Sequence, residues 1–533
     1  MTEQSRRAGL AAGLAGAALL LTTPMAAMAQ GDIDTFTYAP NLAVVTDLDP
    51  ATSYSNENTA MHNVYESLTR YDSVSGEVKP ALATEWSASE DGLTWTFTLR
   101  DDATFHTGAP MDAEAAIAAL ERTRDLGLGA GYIWGGVESF EAPDATTLVM
   151  NLAWPAPMDL IAAANYAAYV YDVNAAGVGA SEEDLAAFFA EGGDAGTGPY
   201  TISAWEPGSE FELTLDAFPD YWGGWDGEHY EEVVFRVVPE VTTAMQLVKA
   251  GDVQMVERLT PQLVDSLRGD DNVQIHETPS LQNLMVLLNT ASGPLADPAV
   301  RAAVAKAVDT DGIGVALQGA VVPTKGVIPP GLIGHSDELT GTGLDLEGAA
   351  ELLASAGYGP DGEPLKLTMT IATGDADETL VGASMKSNLA ELGVDLEVEA
   401  TEWQAQWDRA ISENTEDRQD IFVMYWWPDY PDPFSWFISM FRTEEEPTFN
   451  LAYYSDAGMD AAIDEIQSLT VTDRDAAQAK YEEMQQQLID DAVAVVPYVQ
   501  NYQRVLDASV GGYVDDPAYA QVPFVYDMSP LGD

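Results

Sequence analysis

Short runs rich in apolar residues and bounded by turn formers mark strands at residues 93–99, 147–152, 210–215, 232–238, 284–289 and 366–371. Between them the apolar positions recur at helical spacing. Residues 112–122 place Ala116, Ile117 and Leu120 on one face, and 242–250 repeat the arrangement with Ala244, Leu247 and Val248. Asp297-Pro298 opens a further helix, with Asp as N-cap and Pro in the first turn, followed by Val300, Val304 and Val308. Strands alternating with helices in this way predict α/β lobes. Two apolar stretches, 284–289 and 495–500, the second following a long helix at 473–491, are placed as crossings between lobes.

Composition refines this picture. At 533 residues the chain is too long for one hydrophobic core, and its 46% apolar content is that of a folded protein. The absence of cysteine excludes disulfides, thiol catalysis and cysteine metal sites. With 22 basic and 87 acidic residues the formal charge is −65, which repels nucleic acid phosphate and anionic lipid. Arg6 and Arg7, the apolar run 8–21 and Ala27-Met28-Ala29 have the order of a secretory signal, so cleavage after Ala29 and an exported, periplasmic protein are expected. The segment removed carries Arg6, Arg7 and Glu3, leaving −66. Such acidity, with 7 lysines, suits concentrated salt, where repulsion among carboxylates is screened.

A search for catalytic signatures returns little. There is no phosphate-binding glycine loop, no His-Glu-x-x-His and no nucleophile elbow, and His62, His106, His229, His276 and His335 are scattered singly. Neither a metal nor an organic cofactor is expected. Asp309-Thr310-Asp311-Gly312 has the start of a calcium loop but lacks its later Glu. The informative segment begins Tyr425-Trp426-Trp427-Pro428-Asp429-Tyr430-Pro431-Asp432-Pro433. From Tyr425 to Phe441, 8 of 17 residues are aromatic, and three prolines stiffen the backbone. A rigid aromatic loop at a strand end, carrying carboxylates, supplies flat apolar walls and fixed polar groups, as a concave ligand site requires. A second aromatic loop is Tyr132-Ile133-Trp134-Gly135-Gly136. The expected ligand-binding residues are Asp429, Trp426, Trp427 and Tyr430, with Tyr132, Trp134 and Trp403 as further walls; Asp432 is expected to hold the loop.

In order along the chain stand Asn63-Val64-Tyr65-Glu66-Ser67-Leu68-Thr69-Arg70-Tyr71-Asp72, Pro80-Ala81-Leu82-Ala83-Thr84-Glu85-Trp86, Gly92-Leu93-Thr94-Trp95-Thr96-Phe97-Thr98-Leu99-Arg100 and Phe105-His106-Thr107-Gly108. Gly196-Thr197-Gly198-Pro199-Tyr200, Pro219-Asp220-Tyr221-Trp222-Gly223-Gly224 and Val300-Arg301-Ala302-Ala303-Val304 follow. Through this succession the chain resembles the extracellular solute-binding proteins of ATP-driven importers, in the dipeptide, oligopeptide and nickel class. The resemblance implies an α/β, two-lobed periplasmic-binding-protein fold with mixed sheets and an extra subdomain in the first lobe. The expected division is a signal peptide at 1–29; lobe I at 30–70, 200–282 and 498–533; its subdomain at 71–199; and lobe II at 283–497.

The resemblance also implies that Asp429 faces the amino group of a ligand. The arginine that dipeptide binders place against the ligand carboxylate, before the helix at 376–392, is absent, because Thr373-Gly374-Asp375 stand there. A peptide, an amine-bearing solute or an oligosaccharide is the expected ligand, and the permease subunits of an importer are the expected partner of a monomeric protein. The alternative is a secreted carbohydrate-binding or carbohydrate-cleaving protein using paired carboxylates; a peptide-handling chaperone is a third class with no dedicated feature.

Overall fold

The computed structural model describes residues 34–531 except 42, 43, 55, 258, 318, 319, 342 and 361, and not the side chain of Gln404. The expected signal segment and its cleavage site lie outside the described residues.

One eleven-stranded sheet runs through the protein. Its centre is a pair of long antiparallel strands, β1 (Val273–Leu288) and β3 (Ala494–Asp507), which the sequence marked only at 284–289 and 495–500. On one side, β2 (Ile421–Trp426) pairs antiparallel with β1 and parallel with Leu365–Ala372, which pairs parallel with Val394–Thr401. On the other side Met255–Val256, Thr35–Ala39, Glu232–Arg236, Phe211–Ala217 and Tyr200–Trp205 follow in order. The two flanks therefore form two lobes joined by the long strands. A separate four-stranded antiparallel sheet (Ala83–Ala88, Thr94–Leu99, Thr147–Leu152, Val137–Asp144) is covered by the helix Ala113–Leu126.

The acidic composition is partly spent on helix ends. Asp112, Asp297, Asp309, Asp345, Asp375, Asp456 and Asp473 each accept a backbone N–H as N-cap, where a negative charge also meets the positive end of the helix dipole. Asp309 accepts from Gly312 N at 2.9 Å, so the calcium-like Asp309-Thr310-Asp311-Gly312 is a helix start.

Along β2 the pleat sends alternate side chains to opposite faces. Ile421 and Val423 enter a core beneath the helices Pro298–Ala305, Leu346–Ser355 and α2 (Ala376–Glu391). Phe422, Met424 and Trp426 enter a second core, which continues into the four-stranded sheet of the first half. The aromatic loop leaves β2 on the Trp426 side, between the two halves.

The ordered motifs around Glu66, Arg100, Gly196 and Tyr221-Trp222 meet in the first half's framework. Tyr221 Oη and Trp222 Nε1 donate to Glu66 at 3.1 and 2.9–3.0 Å, and Arg100 lies over the Trp222 ring. Burial pushes the Glu66 carboxyl up to about 7 despite these donors. Gly196 packs on the end of α1 (Asn58–Val64), where a Cβ would fall 2.0 Å from the Val64 carbonyl oxygen. These motifs hold the fold together through contacts among themselves.

Candidate ligand-binding site

Three prolines and an internal carboxylate fix the aromatic loop. Asp432 Oδ1 accepts from Phe434 N at 2.8 Å and from Tyr481 Oη at 2.9 Å, pinning the loop to the start of the helix Phe434–Met440 and to the helix Arg474–Asp490. Asp429 points the other way. It is 2% exposed, and its two oxygens accept hydrogen bonds from phenols of the first half: Tyr54 Oη at 3.1 Å on Oδ1, and Tyr132 Oη on Oδ2. Its backbone oxygen accepts from Asn165 N at 2.8 Å. Beside it, Trp427 Nε1 donates to Tyr166 Oη at 3.3 Å, and the Tyr166 ring meets the Tyr54 ring edge-on at 5.2 Å.

The site therefore joins a carboxylate of the second half to a cluster of tyrosines of the first. Burial raises the Asp429 carboxyl to about 6, against the lowering effect of the Tyr132 and Tyr54 hydrogen bonds. The same burial raises Tyr54 and Tyr132, with the Asp429 charge adding to it, so these phenols stay protonated as donors. A carboxylate has about four lone-pair sites, and the two phenols leave room for a further donor. The arrangement can hold a cationic or hydroxyl group against aromatic surface. Among the described residues no three His, Asp or Glu side chains are grouped to hold a metal ion.

The residues singled out in the sequence fall into distinct places. Asp429, Trp427 and Tyr132 come together, Tyr132 being 38% exposed while its hydroxyl reaches inward, so it lies at the rim. Trp426 is buried against Phe449. Tyr430 is buried in the core beneath the loop. Trp134 is fully buried and its indole donates to the Ala167 carbonyl at 2.7 Å, so it packs inside and forms no wall. The short 3₁₀ turn Gly131–Trp134 explains the difference: residues two apart on three residues per turn face different sides. Trp403 packs on Trp407 and Phe422, four residues along β2 from Trp426, or about 13 Å at about 3.3 Å per residue. No sequence signal marks Tyr54, Asn165 and Tyr166, which lie in stretches without motif character. At 373–375, Asp375 caps α2 and lies 3.5 Å from Tyr425 Oη.

Residues 77–447 match the profile of bacterial extracellular solute-binding proteins, family 5 Middle. The chain is 27% identical over 490 residues to the probable D,D-dipeptide-binding periplasmic protein of Escherichia coli (strain K12), covering 90% of this chain and 92% of that one. It is 27% identical over 518 residues to the nickel-binding periplasmic protein of the same organism, with coverage of 90% and 92%. Among solved structures, the periplasmic binding protein DppA from Helicobacter pylori in complex with the peptide STSA superposes with a TM-score of 0.78 at 22% identity, over 93% of this chain and 98% of that one. NikA from Brucella suis in complex with Fe(III)-EDTA gives 0.81 at 22% identity, over 93% and 99%.

Proposed function

The chain belongs to the bacterial extracellular solute-binding proteins of ABC importers, family 5, and from that premise we propose that it captures a peptide-like or amine-bearing solute between its lobes and delivers it to permease subunits. The family binds solutes and performs no catalysis, and the match does not favour the carbohydrate-cleaving alternative. We place the division between lobes at the long strands, with lobe II spanning 283–497, and take residues 1–29 as an export signal removed after Ala29, leaving a periplasmic monomer.

The observation that carries the ligand reading is Asp429: a buried carboxylate on a proline-stiffened aromatic loop, faced by two phenols from the opposite half. A buried carboxylate is costly unless it has a partner, and a group tied to both lobes converts ligand contact into closure. The reading is tested by extracting whatever small molecule co-purifies with the protein, identifying it by mass spectrometry and titrating it into stripped protein by calorimetry. We expect an unchanged solute that Asp429→Asn binds about ten- to a hundredfold more weakly if it is cationic, the equivalent of about 1.5–3 kcal/mol for a charge-assisted bond. Wild-type affinity in both Asp429→Asn and Trp427→Ala would assign the loop to the core alone.

A further inference from the structure

Tyr54 shortly precedes α1 in the chain, and the N-cap of that helix is Glu57. Its side chain is 2% exposed. Oε1 accepts from Thr46 N and Thr46 Oγ1, whereas the buried Oε2 has no hydrogen-bond partner among the described residues. A buried carboxylate oxygen left without a donor costs more than a made bond contributes, so native proteins pair such atoms with water or ligand.

Asp429 and Asn58, the residue after Glu57, both bond Asn165. Asn165 N donates to the Asp429 backbone oxygen at 2.8 Å, and Asn165 Oδ1 accepts from Nδ2 of Asn58, the neighbour of Glu57, at 3.0 Å. Tyr166, next in the chain, makes an edge-on corner with Tyr54, the ring whose hydroxyl reaches Asp429. After burial and the opposing Trp427 hydrogen bond, the charges of both Asp429 and Glu57 act on the Tyr166 phenol, and both raise it. Both carboxylates therefore lie near enough to Tyr166 for their charges to reach its phenol. Arg504, on β3, is buried over the Tyr502 ring and faces Asp515 at 3.7 Å, so its charge already has a counterion.

We propose that Glu57 is a second ligand-contacting carboxylate of this site, and that the solute carries an N–H cation, an alkylammonium or guanidinium, held between Glu57 and Asp429 across the rings of Tyr54 and Tyr166. The unmet Oε2 calls for a hydrogen-bond donor, which a quaternary ammonium lacks. Two carboxylates and two electron-rich rings call for positive charge. The proposal rests on the reading of Asp429 as a ligand group and adds the cation class and the second acceptor to it.

The test uses putrescine and agmatine as probes, with butane-1,4-diol as the uncharged isostere of putrescine. Calorimetry is run on the whole protein in about 0.5 M NaCl, so that diffuse attraction to the acidic surface is screened. We expect saturable one-to-one binding of at least one cation, no measurable binding of the diol, and about ten- to a hundredfold weaker cation binding in Glu57→Gln. The glutamine keeps an oxygen for Thr46, and its melting temperature is compared with wild type. If the variant does not fold, the cation-against-diol comparison on the unmutated protein still decides the ligand class. Glu57→Gln at wild-type affinity with Asp429→Asn weakened overturns the role of Glu57 and leaves the Asp429 reading standing. Both variants at wild-type affinity overturn that reading and this proposal together, and failure of both cations to bind overturns the cation class.

Discussion

Asp429 carries opposing demands. Burial favours its protonated form, lifting the carboxyl from the ordinary value of 3.8 to about 6, while Tyr132 and Tyr54 favour the anion. Because the folded state holds this proton more tightly than the unfolded chain, acidification from pH 7 through 6 towards about 4 favours the folded state at this residue; below 3.8 both states are protonated and the gain ends. We expect ligand-free wild type to gain melting temperature between pH 7 and 5, and Asp429→Asn to gain less, as measured by calorimetric scans. An equal rise in the two proteins would assign the effect to other buried carboxyls, such as Glu66, which burial pushes to about 7. Affinity for a cation has the opposite sign. It should fall as pH drops through 6, because protonation removes the charge the ligand meets. Little of this is legible from residue type. Asp429 and Asp432 stand three apart in one loop, yet one faces the opposite half and the other ties down its own helix.

At the scale of elements, close backbone approach decides which positions tolerate change. Gly196 has an ordinary negative φ, so its constraint is steric: an added Cβ would sit 2.0 Å from Val64 O, and a backbone atom cannot rotate away. Gly196→Ala should destabilise the protein by about 1–3 kcal/mol as the loop lifts from α1. Gly314, in the helix Thr310–Ala316, has among the described residues only Pro323 Cγ near, at 3.8 Å, and Gly314→Ala should be neutral or stabilise by up to about 1 kcal/mol through helix propensity. Thermal scans of the two variants separate the cases, and equal effects would contradict the packing argument. Helices were legible where caps and periodicity agree, as at Asp112, Asp297 and Asp473. The full length of β1 was not, because its first half, Val273 to Pro279, is only partly buried and carries His276, Glu277 and Pro279 among its apolar residues.

For the whole molecule, charge and closure set the expectations. A formal charge of −65 repels itself over a Debye length of about 30 Å at 0.01 M salt and about 3 Å at 1 M, so melting temperature should rise with sodium chloride. A flat response would remove the argument for a saline habitat. The contacts of Tyr54, Tyr132, Asn165 and Tyr166 with the aromatic loop join the two halves across the site. Replacing both Tyr54 and Tyr132 by Phe removes two hydrogen bonds from that seam and leaves Asp429 without them. Small-angle scattering of the double variant should give a larger radius of gyration than wild type, and an unchanged radius would show that the seam does not hold the halves together.

The sequence by itself determined what local chemistry can encode: the α/β alternation, the succession of motifs that marks the family, and a rigid aromatic loop with a carboxylate at a strand end. Those signals lie within a few residues of one another, where turn chemistry, caps and side-chain period act directly. Only the tertiary structure decided which groups meet there. Tyr54 reaches Asp429 across 375 residues of chain and Tyr132 across 297. No local pattern distinguishes those tyrosines from any others, nor Tyr132 at the rim from Trp134 in the core. Their positions follow from the docking of one half on the other, and a hydrogen bond formed by that docking leaves no trace in the residues on either side of it.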